Sequence, residues 1–123
     1  MNNKTKTFKD LVVWQKSHQL TLEIYKILLK FPSEEKYSLT SQMRRAAYSV
    51  PSNIVEGRSR KSKKEFLQFL NIAKGSLEEL KYFIILSGDL NYITNEEQEN
   101  LELLSEEVSK ILYAFTKNLN AES

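Results

Sequence analysis

Residues 62–88 read SKKEFLQFLNIAKGSLEELKYFIILSG. Phe66, Phe69, Leu70, Ala73, Leu77, Leu80 and Ile84 recur at spacings of three and four, the period of one face of an α-helix. Ser62 with Glu65 three residues on reads as a capping box, so the helix is expected to begin at Lys63. Taken to Ser87 it would span roughly 37 Å at about 1.5 Å per residue. A mid-helix glycine costs about 1 kcal/mol against alanine, so Gly75 is expected to mark the close approach of another helix. Gly88 is expected to end this one.

Working outward, the same period recurs three more times. Thr94 and Glu97 form a second capping box, followed by Leu101, Leu104, Val108, Ile111, Leu112, Phe115 and Leu119 over a helix at 95–119. Upstream, Ser33 reads as an N-cap with Glu34 and Glu35 in the first turn of a helix at 34–57. Its stripe is Leu39, Met43, Ala46, Ala47, Val50 and Ile54. Pro51 removes the bond to the Ala47 carbonyl and is expected to kink this helix or split it in two. Gly57 is a candidate left-handed C-cap. A first helix at 11–31 carries Val13, Leu20, Ile24, Ile27, Leu28 and Phe31 and stops at Pro32. Residues 1–9 are polar and expected to fray as a flexible segment, leaving 10–120 as the folded domain.

Short connections make these four helices an all-α, antiparallel up-down bundle. Its 123 residues form one domain, and no run alternates with period two long enough for a strand. With no Cys, a disulfide scaffold, thiolate metal site and cysteine nucleophile are excluded. One histidine, His18, excludes a multi-histidine metal centre, and Gln15 stands where a di-iron Glu-x-x-His pair would need Glu. No cofactor and no metal are expected. No apolar run approaches the roughly 18 residues that span a bilayer, and the N-terminus has no apolar signal core, so a cytoplasmic protein without a membrane partner is expected. Val12, Trp14, Leu22, Leu29, Tyr82, Phe83, Ile85 and Leu103 fall off the main stripes, more apolar side chains than a small bundle can bury, which points to a homo-oligomer.

The net charge of +2 conceals an asymmetry. Residues 1–64 carry 14 Lys/Arg against 5 Asp/Glu, and residues 65–123 carry 4 against 11. The densest cation cluster, Arg58, Arg60, Lys61, Lys63 and Lys64, lies between the second and third helices, where first-turn amides add positive potential. Such a turn suits phosphates, with Arg44 and Arg45 further up the second helix as additional contacts. The same cations can equally form a solvated turn, and Arg44 and Arg45 can pair with Glu78, Glu79 or a neighbouring copy. Glu56, within Ser52-Asn53-Ile54-Val55-Glu56-Gly57, reads as a buried carboxylate. It is expected to pair with Arg44, Arg45 or Arg58, with Asn53 joining the network. A catalytic base is the other reading of Glu56, but neither nucleophile nor metal site accompanies it, and no enzyme is expected.

Several of these elements carry a resemblance. They are Phe31-Pro32, Gln42-Met43-Arg44-Arg45-Ala46, Ser49-Val50-Pro51-Ser52-Asn53-Ile54-Val55-Glu56-Gly57 and Phe69-Leu70-Asn71-Ile72-Ala73-Lys74-Gly75-Ser76-Leu77-Glu78-Glu79-Leu80. In this order they resemble the four-helix-bundle proteins encoded by intervening sequences in bacterial 23S rRNA genes, over residues 8–119. Ser38 departs from a usual glycine, and Lys81-Tyr82 from a common Glu-Thr pair. The resemblance implies a ring-shaped homopentamer. It extends to the accessory variability determinant of diversity-generating retroelements, and so implies binding rather than catalysis. From the cationic turn the expected partner is nucleic acid, RNA favoured, or else an acidic protein such as a reverse transcriptase or ribosome-associated protein. It also implies an inter-helix or inter-subunit ion-pair role for Arg44, Arg45 and Glu56.

Overall fold

The computed structural model describes residues 6–122 as four helices: α1 (Val12–Leu28), α2 (Leu39–Arg58), α3 (Lys63–Asp89) and α4 (Asn95–Ala121). Two 3-10 turns, Phe8–Asp10 and Ser33–Glu35, precede α1 and α2. No strand occurs among the described residues. Each helix packs on two others, α1 on α2 and α4, and α3 on α2 and α4, which closes a four-helix bundle. The predicted stripes meet at its centre. Leu20, Ile24, Met43, Val50, Ile54, Leu70, Leu77, Leu80, Ile84, Val108 and Leu112 are all buried. Each such side chain contributes about 1.5–3 kcal/mol by leaving water.

The boundaries follow local chemistry, with several departures from the sequence reading. α1 stops at Leu28, short of Phe31, and Leu29 is 88% exposed. α2 starts at Leu39 rather than after Ser33. Glu35 is the reason: its carboxylate accepts from Ser38 Oγ (2.6 Å), the Leu39 amide (3.3 Å) and, across the bundle end, Tyr92 Oη (2.8 Å). These contacts, the Ser38 hydroxyl foremost, hold the Glu35 carboxyl below its usual range. Of the segment expected to fray, residues 1–5 lie outside the described residues. Phe8–Asp10 form a turn capped by Thr7 and Asp10, with Phe8 set edge-on to Trp14 at 5.0 Å.

Pro51 neither splits nor ends α2. The carbonyl it leaves free, Ala47 O, lies 3.0 Å from Thr21 Oγ1 of α1, and that hydroxyl also lies 2.9 Å from Ser17 O. A neighbouring helix thus supplies the donor that proline removed.

Gly57, rather than Gly75, marks the close approach of a neighbouring helix. Gly57 is no left-handed cap: it lies buried inside α2, and a Cβ there would sit 2.8 Å from both Phe66 and Phe69 of α3. Gly75, expected to mark a close approach, has nothing within 4 Å of a Cβ position and is exposed. Gly88 lies within α3 against Gln98. The chain reverses instead at Asn91, with φ 62°; Asn91 N donates to Gly88 O (3.0 Å) and Tyr92 N to Ser87 O (2.9 Å). That pair of bonds is a Schellman motif built on asparagine.

Candidate nucleic-acid interface

The cationic turn owes its shape to Gly57. Because that residue lacks a side chain, α2 settles directly on Phe66 and Phe69, and the chain turns into α3 through residues 59–62. Ser62 Oγ accepts from the Glu65 amide at 3.1 Å and caps α3. The five cations therefore gather at the positive end of the α3 dipole.

They are not equivalent. Arg60 Nη2 bonds Glu56 Oε2 at 2.9 Å, and its guanidinium lies 4.8 Å from the Phe69 ring centroid. Lys63 Nζ donates to the Glu122 carbonyl near the end of α4. Arg58 is half-buried, and its charge is felt by Asp10, whose carboxyl is held low chiefly by the Thr7 amide. Lys61 and Lys64 are exposed and have no ion-pair partner among the described residues.

Glu56 overturns its sequence reading. Its side chain is 52% exposed and is partnered by Arg60 within the same turn, not by Arg44, Arg45 or Arg58. The reason is its register: Ile54 and Gly57 take the buried face of α2, and Glu56 points off it. Asn53 does not join Glu56. Its amide donates to Ser49 O (2.7 Å), and Ser49 Oγ meets Ser76 Oγ of α3 at 2.8 Å.

Arg44 and Arg45 stand apart from the turn. Arg44 precedes Arg58 by fourteen residues of continuous helix, about 21 Å of rise. Arg44 lies over the Tyr25 ring of α1 at 5.7 Å, and Arg45 is exposed. Neither pairs with Glu78 or Glu79 among the described residues. His18 stacks on Trp14 at 4.8 Å, and no group of three or more metal-ligating side chains occurs among the described residues.

One cationic feature escaped the sequence reading. Lys74, Lys110 and Lys117 line a groove between α3 and α4, together with Tyr113. Counting charge by halves hid these lysines in an acidic segment. Their signal was periodicity, since Lys110, Tyr113 and Lys117 are spaced by three and four.

Fold and site together define a small four-helix bundle with a cationic turn at one end. The chain belongs to the 23S rRNA-intervening sequence protein family, whose model matches residues 9–114. A crystal structure of a protein of unknown function from the S23 ribosomal protein family of Bacteroides thetaiotaomicron superposes with a TM-score of 0.80 at 31% identity, covering 89% of this chain and 98% of that one. No curated protein matches. No helix among the described residues is long and apolar enough to cross a membrane.

Proposed function

We propose that this protein is a non-enzymatic nucleic-acid-binding protein that grips the phosphates of structured RNA through the turn between α2 and α3. The observation that carries this reading is the pair Lys61 and Lys64, exposed and without ion-pair partners among the described residues, beside the N-terminus of α3. Lys63 adds charge at the same place, while Arg58 and Arg60 shape the turn more than they reach from it. The family's name associates it with 23S rRNA, which makes a structured RNA the first target to test.

One such turn is a weak site, and repetition around a homo-oligomer would raise its avidity without new contacts. Val12, Leu22, Leu29, Tyr82, Ile85 and Leu103 are between 45% and 88% exposed, apolar surface suited to contact between copies. The resemblance to the family implies a pentamer, which light scattering on the purified protein measures directly.

The test is binding of labelled, structured RNA across a salt series. Affinity should fall steeply with salt, because phosphate contacts release counterions. Reversing Lys61, Lys63 and Lys64 to Glu should weaken binding and flatten that slope. Unchanged affinity in the triple variant refutes the assignment, and no binding even at low salt transfers the turn to an acidic protein partner.

A further inference from the structure

The acidic half of the chain contains only four cations, Lys74, Lys81, Lys110 and Lys117, and all four lie along the seam between α3 and α4. Three of them line a groove of about 740 Å³. On α4 the lining runs Glu106, Lys110, Tyr113, Lys117 and Asn120, steps of four and three that make one straight stripe. On α3 it runs Leu67, Asn71 and Lys74, and one turn before Leu67 stand Lys63 and Lys64 of the cationic turn. Lys63 also bonds the Glu122 carbonyl, two residues beyond Asn120. The groove therefore opens onto the cationic turn.

Its chemistry is that of a strand-binding track. Lys74, Lys110 and Lys117 are exposed and have no ion-pair partner among the described residues. Lys110 and Lys117 stand about 10 Å apart along α4. Between them Tyr113 is 62% exposed, leaving an aromatic ring open to a stacking base. Asn71 and Asn120 offer amide donors and acceptors of the kind that meet base edges. The one carboxylate in the lining, Glu106, is paired with Lys81 at 2.8 Å, an ammonium that also bonds Glu78 at 3.1 Å and Ser109 Oγ at 3.0 Å. An acidic peptide would also use the lysines, whereas a nucleic-acid strand adds bases that stack on the exposed Tyr113 ring.

We infer that the α3–α4 groove binds a single-stranded nucleic-acid segment that leaves the cationic turn, with its phosphates on Lys117, Lys110 and Lys74 and a base stacked on Tyr113. This route rests on the nucleic-acid reading of the turn, and the experiment separates the two. Three RNA probes are compared: a blunt hairpin, the same hairpin with a single-stranded tail of about eight nucleotides, and the tail alone. The wild-type protein should bind the tailed hairpin more tightly than the blunt one. Tyr113→Ala and the pair Lys110→Glu/Lys117→Glu should each cut the tail's advantage by about fivefold or more, with blunt-hairpin binding retained. Tyr113→Phe should preserve it, since stacking needs only the ring.

Equal affinity for tailed and blunt hairpins, or groove variants that leave the advantage intact, overturns the groove and spares the turn. If the blunt hairpin does not bind, the turn reading fails, and the tail alone decides the groove: binding lost in the groove variants upholds it, and no binding overturns it. Binding of polyglutamate as tight as that of the tail and indifferent to Tyr113→Ala overturns it in favour of an acidic protein segment.

Discussion

Gly57 and Gly75 make opposite predictions from the same substitution. A Cβ at Gly57 would press on Phe66 and Phe69 at 2.8 Å, so Gly57→Ala should destabilise the protein by about 1–3 kcal/mol as α2 and α3 are forced apart. Gly75 has open space around it, and Gly75→Ala should stabilise the folded chain by about 0.5–1 kcal/mol through helix propensity alone. Urea denaturation of the two variants checks both signs. The sequence could show that each glycine sits in a helical pattern. Register alone sets Gly57 on the buried stripe, three residues after Ile54, and Gly75 off it, but how closely a neighbour approaches Gly57 depends on how α2 packs against α3. Thr21 teaches the same lesson. It reads as an unremarkable polar residue in α1, yet its hydroxyl serves the Ala47 carbonyl that Pro51 leaves without a donor. Thr21→Val should cost about 1–3 kcal/mol, the penalty of an orphaned buried carbonyl. The loss should shrink in a Pro51→Ala background, where a backbone amide returns to Ala47, and a double-mutant cycle by thermal denaturation reads the coupling.

Helix starts were more legible than helix stops. Thr94 and Glu97 form the reciprocal box that the sequence suggested, with Glu97 N to Thr94 Oγ1 at 3.1 Å and Thr94 N to Glu97 Oε1 at 2.8 Å. Capping is local chemistry, readable over four residues. The α2 start misled because Glu35 bonds Tyr92 across the bundle end, a partner 57 residues away. Glu97 is likewise doubly held, by Lys30 of the α1–α2 connection as well as by its own box. The Lys30 ammonium, and after it the Thr94 amide, hold the Glu97 carboxyl below its usual 4.5. A lowered folded-state pKa means that this stabilisation is complete above 4.5 and is lost as pH falls through the folded value. Glu97→Gln should therefore be less stable at neutral pH and lose less stability on acidification below that range, measured by urea titrations across the acid limb. Glu35, held low by Ser38 and Tyr92, contributes with the same sign.

Across the whole molecule the charge asymmetry takes a spatial form. The turn between α2 and α3 is basic, while α4 begins with Glu96, Glu97, Glu99 and Glu102. Its two polar tracks, the cationic turn and the lysine groove, meet where α4 ends beside Lys63. A protein that engages phosphates there should show a salt slope that falls by about one unit for each contacting lysine reversed. The Lys61, Lys63 and Lys64 triple reversal should thus remove about three units for each copy in contact, and about two where the Lys63 ammonium is held by Glu122. Binding isotherms at four or more salt concentrations read that number, and light scattering on the same samples gives the copy number that multiplies it.

Periodicity, capping boxes and the run of five cations were enough to place four helices, most of their core residues and the cationic turn. Each of these is a statement about neighbours in sequence, or about the face of a single helix. The contact of Arg44 with Tyr25, the close approach of Phe66 and Phe69 to Gly57, and the assembly of Lys74 with Lys110 and Lys117 were settled only when helices packed. Those properties depend on which faces meet and at what rotation, and packing across the bundle sets that rotation through side chains far apart in the chain.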